Sequence, residues 1–342
     1  RVGNNIWYRG SFNGKTIWLH SSYVSDSITK QTYYNRTLKE MIDLQMGFSP
    51  QTDKYSKDPA YVHSSLIDRN GSSGEINTSS VRVRSKPNTT SHIFGSLARG
   101  RKVSILGETT GTVVSNSNVW YQISYSGWRL PTRSDLTQYV DPNLQDPLQF
   151  LILSKPAGIT QSVLNIELSG RGVLHNKGDK FLEASRKYSI NEAYLVSHSL
   201  LETGNGSSSL ARGIEVGKNT SGESVLVTSS NRKNLSKIKT VYNMYGIGAY
   251  DSDPVRFGAI RAYDEGWVSV DLAIVEGAQF VSSSYFNRGQ DTLYKMRWNP
   301  ETPSGHRYAT DIGWAAKQVS SLNRIYERMD NPSMAFDIPV YK

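Results

Sequence analysis

The stretch of residues 191–206 reads NEAYLVSHSLLETGNG and decides the fold of the C-terminal part of the chain. Asn191 is a preferred N-cap residue, and apolar side chains follow it at near-helical spacing. The glycine-rich run 203–206 cannot continue a helix. We therefore expect a packed helix that ends in a loop, with Glu202 at the junction. Burial of a carboxyl group against apolar side chains favours its protonated form, which a general acid for glycoside cleavage requires.

Helical periodicity continues on both sides of this stretch, and one segment interrupts it. Residues 214–229 alternate between apolar and polar side chains around the turn sequence KNTSG, which predicts a β-hairpin directly after the Glu202 helix. A carboxylate at a helix end beside a β-lobe, in a mostly helical domain, is a lysozyme-like arrangement. The predicted helices cover residues 159–168, 178–187, 191–202, 254–265, 267–282 and 311–328.

The N-terminal part carries short β patterns and an internal repeat. Residues 7–14 (WYRGSFNG) and 120–127 (WYQISYSG) both read as strands that run into a tight turn. Residues 81–84 (VRVR) alternate strictly, so we expect a small all-β unit over about 76–130. Between these β patterns, residues 37–46 predict a short helix, with Thr37 and Glu40 as its capping box.

Composition limits the class of protein. A chain of 342 residues with 37 % hydrophobic residues is long enough for two or three globular domains. It has no cysteine, which excludes thiol catalysis and cysteine-based zinc sites and fits an exported bacterial protein. The longest apolar runs fall short of a membrane span. The chain begins with Arg1 and no signal segment follows, so we expect its numbering to start inside a longer precursor.

The net charge of +9 suggests polyanionic partners. Residues 1–147 hold 17 Lys and Arg against 11 Asp and Glu, so most of the excess lies toward the N-terminus. The sequence contains no helix-turn-helix, zinc-finger or RNP-type motif, and we expect no nucleic-acid partner. The excess positive charge therefore either attracts anionic wall polymers or only keeps the protein soluble.

The β-patterned region resembles the bacterial SH3-like (SH3b) module. The matching segments are VRVRSKP at 81–87, GSLARG at 95–100 and the pair Trp120-Tyr121. Residues 2–24 are similar to the end of a second such module. The resemblance implies a domain that binds or positions cell-wall polymers.

The C-terminal region resembles the peptidoglycan N-acetylglucosaminidases of glycoside hydrolase family 73. The resemblance extends over about 132–342, and a related segment precedes it at 37–65. Within the family, the sequence is similar to the Bacillus and staphylococcal autolysin branch. It rests on four segments in order: HSLLETGNG at 198–206 followed by SLA at 209–211, YNMYGIGAYD at 242–251, YKMRWNP at 294–300 and YATD at 308–311.

The resemblance implies hydrolysis of the β-1,4 bond on the reducing side of N-acetylglucosamine, with Glu202 as the general acid. It places a second catalytic group on the β-lobe, where Glu223 has the expected spacing and Glu215 is the alternative. A third possibility is attack by the substrate's own acetamido oxygen, with Tyr242, Tyr245 or Tyr263 orienting that group.

The predicted substrate-binding residues are those able to stack on sugar rings, donate hydrogen bonds or let the backbone approach a ligand closely. His198 lies four residues before Glu202 on the same helix face, where it either tunes the carboxyl group or packs as a structural histidine. We expect neither a metal ion nor a cofactor. The predicted binding residues are Tyr242, Asn243, Tyr245, Gly246, Tyr250, Tyr263 and Trp298.

We therefore predict an α+β protein: a mostly helical, lysozyme-like catalytic domain with a small β-lobe, preceded by small all-β SH3-like modules. It is expected to be a monomeric, secreted, wall-associated enzyme of a Gram-positive-type bacterium that acts on peptidoglycan glycan strands. The alternatives are a muramidase, a lytic transglycosylase or a non-catalytic wall-binding protein. The predicted domains are a truncated SH3-like segment (1–30), a helical or linker segment associated with the catalytic domain (31–75), an SH3-like module (76–131) and the catalytic domain (132–342).

Overall fold

The computed structural model describes residues 7–12, 15–20, 28–125, 127–250, 252–329, 332 and 334–342. The chain divides into two compact units, and neither is a continuous segment. We call them the β-rich unit, which comprises Tyr34–Gln145, Arg297–Trp314 and Tyr341–Lys342, and the helical unit, which comprises Arg1–Tyr33, Asp146–Met296 and Ala315–Val340.

The β-rich unit is built on a seven-stranded sheet with the strand order β5-β6-β9-β10-β4-β7-β8. Its buried face includes Val62, Val83, Phe94 and Ile123, and in β7 the buried Val81 and Val83 flank the exposed Arg82. The strands are β4 (Ala60–His63), β5 (Ile67–Asn70), β6 (Ser73–Ile76), β7 (Ser80–Arg84), β8 (Ile93–Ala98), β9 (Lys102–Val114) and β10 (Ser117–Ile123).

Two helices belong to the same unit. Helix α1 (Leu38–Met46) begins at the predicted capping box, in which Thr37 and Glu40 bind each other's backbone amides. Helix α2 (Arg133–Val140) begins with a second capping box, formed by Thr132 and Asp135. Asp135 also accepts a hydrogen bond from Tyr55 and pairs with Lys54, and these contacts join α2 to the segment before β4.

The β-rich unit is larger than the sequence patterns indicated. The predicted helical or linker segment 31–75 accounts for α1 but not for β4, β5 and β6, which are short strands that gain their hydrogen bonds from the sheet. Residues 297–314 also pack in this unit although they were assigned to the catalytic domain. Gln45 Nε2 donates to the Trp298 carbonyl at 2.9 Å, a contact across more than 250 residues of sequence.

The helical unit confirms the predicted helices, with ends shifted by a few residues. Asn191 caps the central helix α5 by accepting from the Tyr194 amide. Nine of the eleven residues of α5 are buried, so the helix runs through the core rather than along the surface. The helices are α3 (Gln161–Glu167), α4 (Gly178–Tyr188), α5 (Glu192–Glu202), α6 (Ser209–Arg212), α7 (Pro254–Asp264), α8 (Val270–Ser284), α9 (Leu293–Trp298, which ends in the β-rich unit) and α10 (Ala316–Tyr326).

The β-lobe follows α5 and α6 as predicted, with one strand more than the hairpin. Strands β11 (Ile214–Lys218) and β12 (Ser224–Leu226) form the expected hairpin, and β13 (Ser236–Val241) pairs with the other edge of β11. A bulge interrupts the β11–β13 ladder opposite Gly217, where Lys237 has a φ of 50°. The mixture of helical unit, β-lobe and separate sheet confirms the predicted α+β class.

Two further strand pairs complete the architecture. The first repeat forms a hairpin of β1 (Trp7–Phe12) and β2 (Lys15–His20), whereas its turn residues 13–14 and most of the rest of the predicted segment 1–30 lie outside the described residues. Strand β3 (Ile28–Tyr34) pairs with β14 (Ala335–Tyr341). Asp337 on β14 is buried and pairs with Lys295 and Lys30, so this strand is held to the helical unit by charge as well as by its ladder.

Candidate active site

The N-terminal end of α5 is fixed by buried polar contacts. The Glu192 carboxylate accepts from the amides of Ala157 and Ile159 at 2.9 and 2.6 Å and from the Ser185 hydroxyl at 3.1 Å. Asn191 Nδ2 donates to the Tyr326 hydroxyl at 2.7 Å. These contacts fix the start of α5 within the core.

The C-terminal end of α5 opens into a tight loop. Three successive residues, Gly204, Asn205 and Gly206, have positive φ, and the Thr203 hydroxyl closes the turn by accepting from the Gly206 amide at 2.8 Å. A Cβ on Gly206 would lie 2.3 Å from the Arg171 carbonyl, so only glycine fits there. The helix therefore stops at Glu202 for steric reasons, and its last side chain faces the opening.

The Glu202 carboxylate lies between a histidine and a glycine. Its side chain is 22 % exposed, whereas that of His198, one turn earlier, is completely buried. His198 Nε2 lies 3.6 Å from Glu202 Oε1, and His198 Nδ1 lies 2.7 Å from the Tyr194 hydroxyl. Gly246 adjoins the other oxygen, Oε2. The carboxylate is thus accessible on one side and supported by buried groups on the other.

Buried tyrosine side chains lie close to His198 and Glu202. Burial raises the pKa of Tyr194 well above its usual value, and the nearby Tyr285, Tyr245 and Glu202 raise it further. Burial likewise raises the pKa of Tyr285, with Arg288 opposing and Glu202 adding to the shift. Burial alone raises the pKa of Tyr245. These hydroxyls therefore keep their protons at any physiological pH and are available as hydrogen-bond donors.

Asn243 organises the second sequence motif rather than facing a ligand. It is 2 % exposed, and its Nδ2 donates to the carbonyls of Ile247 and Gly258. Its Oδ1 accepts from the amides of Tyr245 and Ile247 at 3.3 and 3.2 Å. This side chain fixes the loop that brings Gly246, with a φ of 65°, against Glu202.

The predicted tyrosines have different surroundings. Tyr245 is fully buried, donates to the Ile274 carbonyl at 2.9 Å and packs on the His198 ring. Tyr263 is 9 % exposed, donates to the Lys237 carbonyl at 2.8 Å and has Lys218 over its ring. Tyr242 is half-buried, and Tyr250 is 69 % exposed with its ring edge against Phe257. Tyr250 is the residue of this set with the most surface open to a sugar.

Trp298 has different surroundings from these residues. It belongs to the β-rich unit and is fully buried, with the Arg297 guanidinium 4.0 Å from its ring centre. No face of its indole is open to a ligand, so its place in the family-like motif is explained by packing. A sequence cannot distinguish a buried tryptophan from an exposed one when both stand among polar residues.

The two carboxylates of the β-lobe hairpin are both partly engaged. Glu215, on β11, forms an ion pair with Arg232 and is 41 % exposed. Glu223 is exposed at the turn before β12 and accepts from Asn219 Nδ2 at 2.8 Å. Each binds a single side chain of its own lobe, and each remains open to solvent on its free side.

Two features of the site were missed by sequence reasoning. Tyr194, four residues before His198, could have been found from the same spacing that relates His198 to Glu202. Tyr285 follows α8, more than 80 residues after Glu202, and no local signal relates the two. Across the part of the chain that the structure describes, no group of three or more acidic or histidine side chains could hold a metal ion.

Comparison with known proteins identifies two family models that match the chain. The family model described as Mannosyl-glycoprotein endo-beta-N-acetylglucosaminidase matches residues 178–327, and the one described as Bacterial SH3 domain matches residues 79–134. The catalytic mutant of Staphylococcus aureus Autolysin E in complex with the disaccharide NAG-NAM is 34 % identical, with a TM-score of 0.51. The alignment covers 63 % of this chain and 87 % of Autolysin E. The chain belongs to the glucosaminidase family.

Two curated members of this family are longer than the chain. The Beta-N-acetylglucosaminidase of Bacillus subtilis (strain 168) is 40 % identical over an alignment of 322 residues, which covers 91 % of this chain and 32 % of that protein. The Bifunctional autolysin of S. aureus (strain MSSA476) is 47 % identical over 201 residues, or 58 % of this chain and 15 % of that protein. The chain therefore spans about a third of the first relative and less of the second.

Proposed function

We propose that the chain is an endo-β-N-acetylglucosaminidase that hydrolyses the β-1,4 bond between N-acetylglucosamine and N-acetylmuramic acid in peptidoglycan. The observation that carries the proposal is the position of Glu202, partly exposed at the end of a buried helix that is followed in the chain by a β-lobe. A catalytic mutant of the related Autolysin E binds NAG-NAM, the disaccharide that contains these two sugars. Family membership supports the same reaction class.

In this proposal Glu202 transfers its proton to the glycosidic oxygen as the bond to the anomeric carbon breaks. The leaving sugar departs as a neutral alcohol, and positive charge develops on the N-acetylglucosamine ring. A water molecule then supplies the hydroxyl group of the new reducing end, and its proton restores the acid. The partial exposure of Glu202 supports access to a substrate while its buried side keeps the carboxyl group in one orientation.

A second group must stabilise the charge on the sugar or activate the water. We place Glu223 ahead of Glu215 in this role, because Glu215 already pairs with the Arg232 guanidinium, whereas the side chain that Glu223 binds, that of Asn219, is a neutral amide. Substrate assistance by the acetamido oxygen is the alternative, and half-buried Tyr242 is then the tyrosine suited to orient it. Tyr250 is proposed to stack on a sugar ring, since its exposed face is apolar and flat.

The proposal extends to where and how the protein acts. We propose that it is a secreted, wall-associated monomer whose SH3-like module positions the catalytic unit on the wall. The positive net charge supports contact with anionic wall polymers. The described residues include no helix that is long and apolar enough to cross a membrane. Binding of the whole chain to purified walls should weaken with rising salt, and salt-independent binding would contradict the electrostatic part.

Product analysis tests the reaction. Purified peptidoglycan is digested with the whole chain, the fragments are reduced with borohydride, and their reducing ends are identified by mass spectrometry. The proposal predicts reduced N-acetylglucosamine ends. Reduced N-acetylmuramic acid would indicate a muramidase, anhydro-muramic ends would indicate a lytic transglycosylase, and no fragments at all would indicate a wall-binding protein. Each of these three results overturns the proposal.

A further inference from the structure

Three side chains on one face of α5 form a line that ends at Glu202. Tyr194, His198 and Glu202 are spaced four residues apart, and this spacing stacks side chains along a helix. The Tyr194 hydroxyl lies 2.7 Å from His198 Nδ1, which is a hydrogen bond. His198 Nε2 lies 3.6 Å from Glu202 Oε1, which is a close electrostatic contact.

We propose that Tyr194 and His198 are positioning residues for Glu202: the Tyr194 hydroxyl holds the His198 ring in the form that points an N–H at the carboxylate. The proposal rests on the assignment of Glu202 as general acid. The His198 side chain is completely buried, so it acts through Glu202 and does not touch the substrate.

The direction of the Tyr194–His198 hydrogen bond decides what faces Glu202. Burial raises the pKa of Tyr194 well above its usual value, so its hydroxyl keeps its proton and can donate. When it donates to Nδ1, the neutral imidazole carries its own proton on Nε2. The opposite tautomer would aim the Nε2 lone pair at a carboxylate oxygen 3.6 Å away, which is electrostatically unfavourable once Glu202 is ionised.

The tautomer matters because Glu202 becomes negatively charged during the reaction. As the proton leaves for the glycosidic oxygen, an N–H dipole already aimed at Oε1 stabilises the developing charge without reorganisation. Tyr245, which packs on the His198 ring, is itself held by donating to the Ile274 carbonyl.

A matched pair of substitutions distinguishes the roles of the two imidazole nitrogens of His198. In His198→Gln the amide nitrogen replaces Nε2 and retains a donor toward Glu202. In His198→Asn the shorter amide replaces the Nδ1 side, which retains a partner for Tyr194 but removes the donor. We take the loss of this N–H dipole as about a tenfold change in rate, the lower end for a hydrogen bond to a charged group, because 3.6 Å is longer than a hydrogen bond. We expect His198→Asn to lose kcat by this factor, and His198→Gln to retain most of it, with KM unchanged in both.

Tyr194→Phe completes the set, and Tyr326→Phe is its control. Tyr326 is a buried tyrosine that binds the N-terminal end of α5 through Asn191. Loss of its hydroxyl therefore tests stability without changing the Tyr194–His198–Glu202 contacts. We expect Tyr194→Phe to lower kcat with KM unchanged, because the imidazole then loses the hydroxyl that holds its N–H toward Glu202. Tyr326→Phe should lower the melting temperature alone.

The outcomes distinguish this proposal from the proposed function. If the wild-type chain yields no N-acetylglucosamine reducing ends, the proposed function fails. If the wild type is active but His198→Gln and His198→Asn have equal kcat, the positioning role is overturned and His198 only packs. The same conclusion follows if Tyr194→Phe changes the melting temperature but not kcat.

Discussion

A Cβ atom built on Gly246 would lie 2.6 Å from Oε2 of Glu202, closer than any real contact of this kind. Gly246 also has a φ of 65°, where other residues are strained. The loop of the second motif thus approaches the proposed general acid without a side chain. Asn243 makes four hydrogen bonds that fix this loop, so Gly246 is held beside the carboxylate.

Gly246→Ala should therefore inactivate the enzyme by displacing the Glu202 carboxylate. We expect kcat to fall about a hundredfold, the loss that a misplacement of about 1 Å produces. Gly266→Ala is the matched control, since Gly266 has a φ of 78° but nothing within 4 Å of its Cβ position. Both variants should lose about 1 kcal/mol of stability from backbone strain, and only the first should lose kcat. Equal kcat in the two would show that the close approach is unimportant.

Glu223→Gln and Glu215→Gln compare the two hairpin carboxylates. We expect Glu223→Gln to lower kcat by at least about tenfold, because a neutral amide neither stabilises positive charge nor removes a proton from water. Glu215→Gln should retain most activity and lose only the ion pair with Arg232. Kinetics on soluble glycan fragments measure both. Near wild-type rates in both variants would favour substrate assistance over either carboxylate.

Tyr250→Ala should weaken substrate binding with little effect on the fold. The side chain is 69 % exposed, so its removal costs little packing, while a lost stacking contact should raise KM by roughly five- to tenfold. Tyr33→Ala is a control of similar exposure, at 73 %, on strand β3. An unchanged KM for Tyr250→Ala would remove this residue from the binding site.

Asp135 should make the β-rich unit sensitive to acid. Burial by itself would raise the pKa of Asp135, but the Lys54 ammonium and the hydroxyls of Thr132 and Tyr55 lower it to about 2. A lowered pKa means that the stabilisation is complete above the unfolded-state value near 4 and is lost as the pH falls toward 2. The shift corresponds to about 2 kcal/mol for this nearly buried carboxylate.

The variant Asp135→Asn should thus lose about 2 kcal/mol at pH 7 and progressively less below pH 4. Urea unfolding of the whole chain, followed by tryptophan fluorescence at several pH values, measures this difference. Asp43→Asn is the control, because Asp43 forms its ion pairs with Lys39 and Arg133 at the surface and should contribute much less. A difference between wild type and Asp135→Asn that stays constant down to pH 2 would contradict the assignment.

Local signals explain how much of the site was predictable. Asn191, the apolar spacing after it and the glycines after Glu202 specify α5 and its end without reference to the rest of the chain. The hairpin of β11 and β12 was also predictable, because alternation and turn residues are encoded within sixteen residues. Both features are encoded locally, so their order along the chain was predictable as well.

Non-local packing explains what was missed. Strand β13 reads SKIKTV, in which one apolar residue stands between lysines, and its pairing with β11 depends on a bulge at Lys237. Strands β4 to β6 are four residues long and are specified by their neighbours in the sheet. The burial of Trp298 depends on contacts with Gln45 and Arg297 in the β-rich unit, and the former lies far away in sequence.

The most direct test of the central claim is the rate at which the Glu202→Gln variant releases N-acetylglucosamine reducing ends from purified peptidoglycan. The glutamine is nearly isosteric and cannot donate the proton, so the circular dichroism spectrum and melting temperature should match the wild type. We expect the rate to fall by roughly 10²–10⁴-fold, the contribution of a general acid. A folded Glu202→Gln variant that keeps a rate within a few-fold of the wild type would contradict the account.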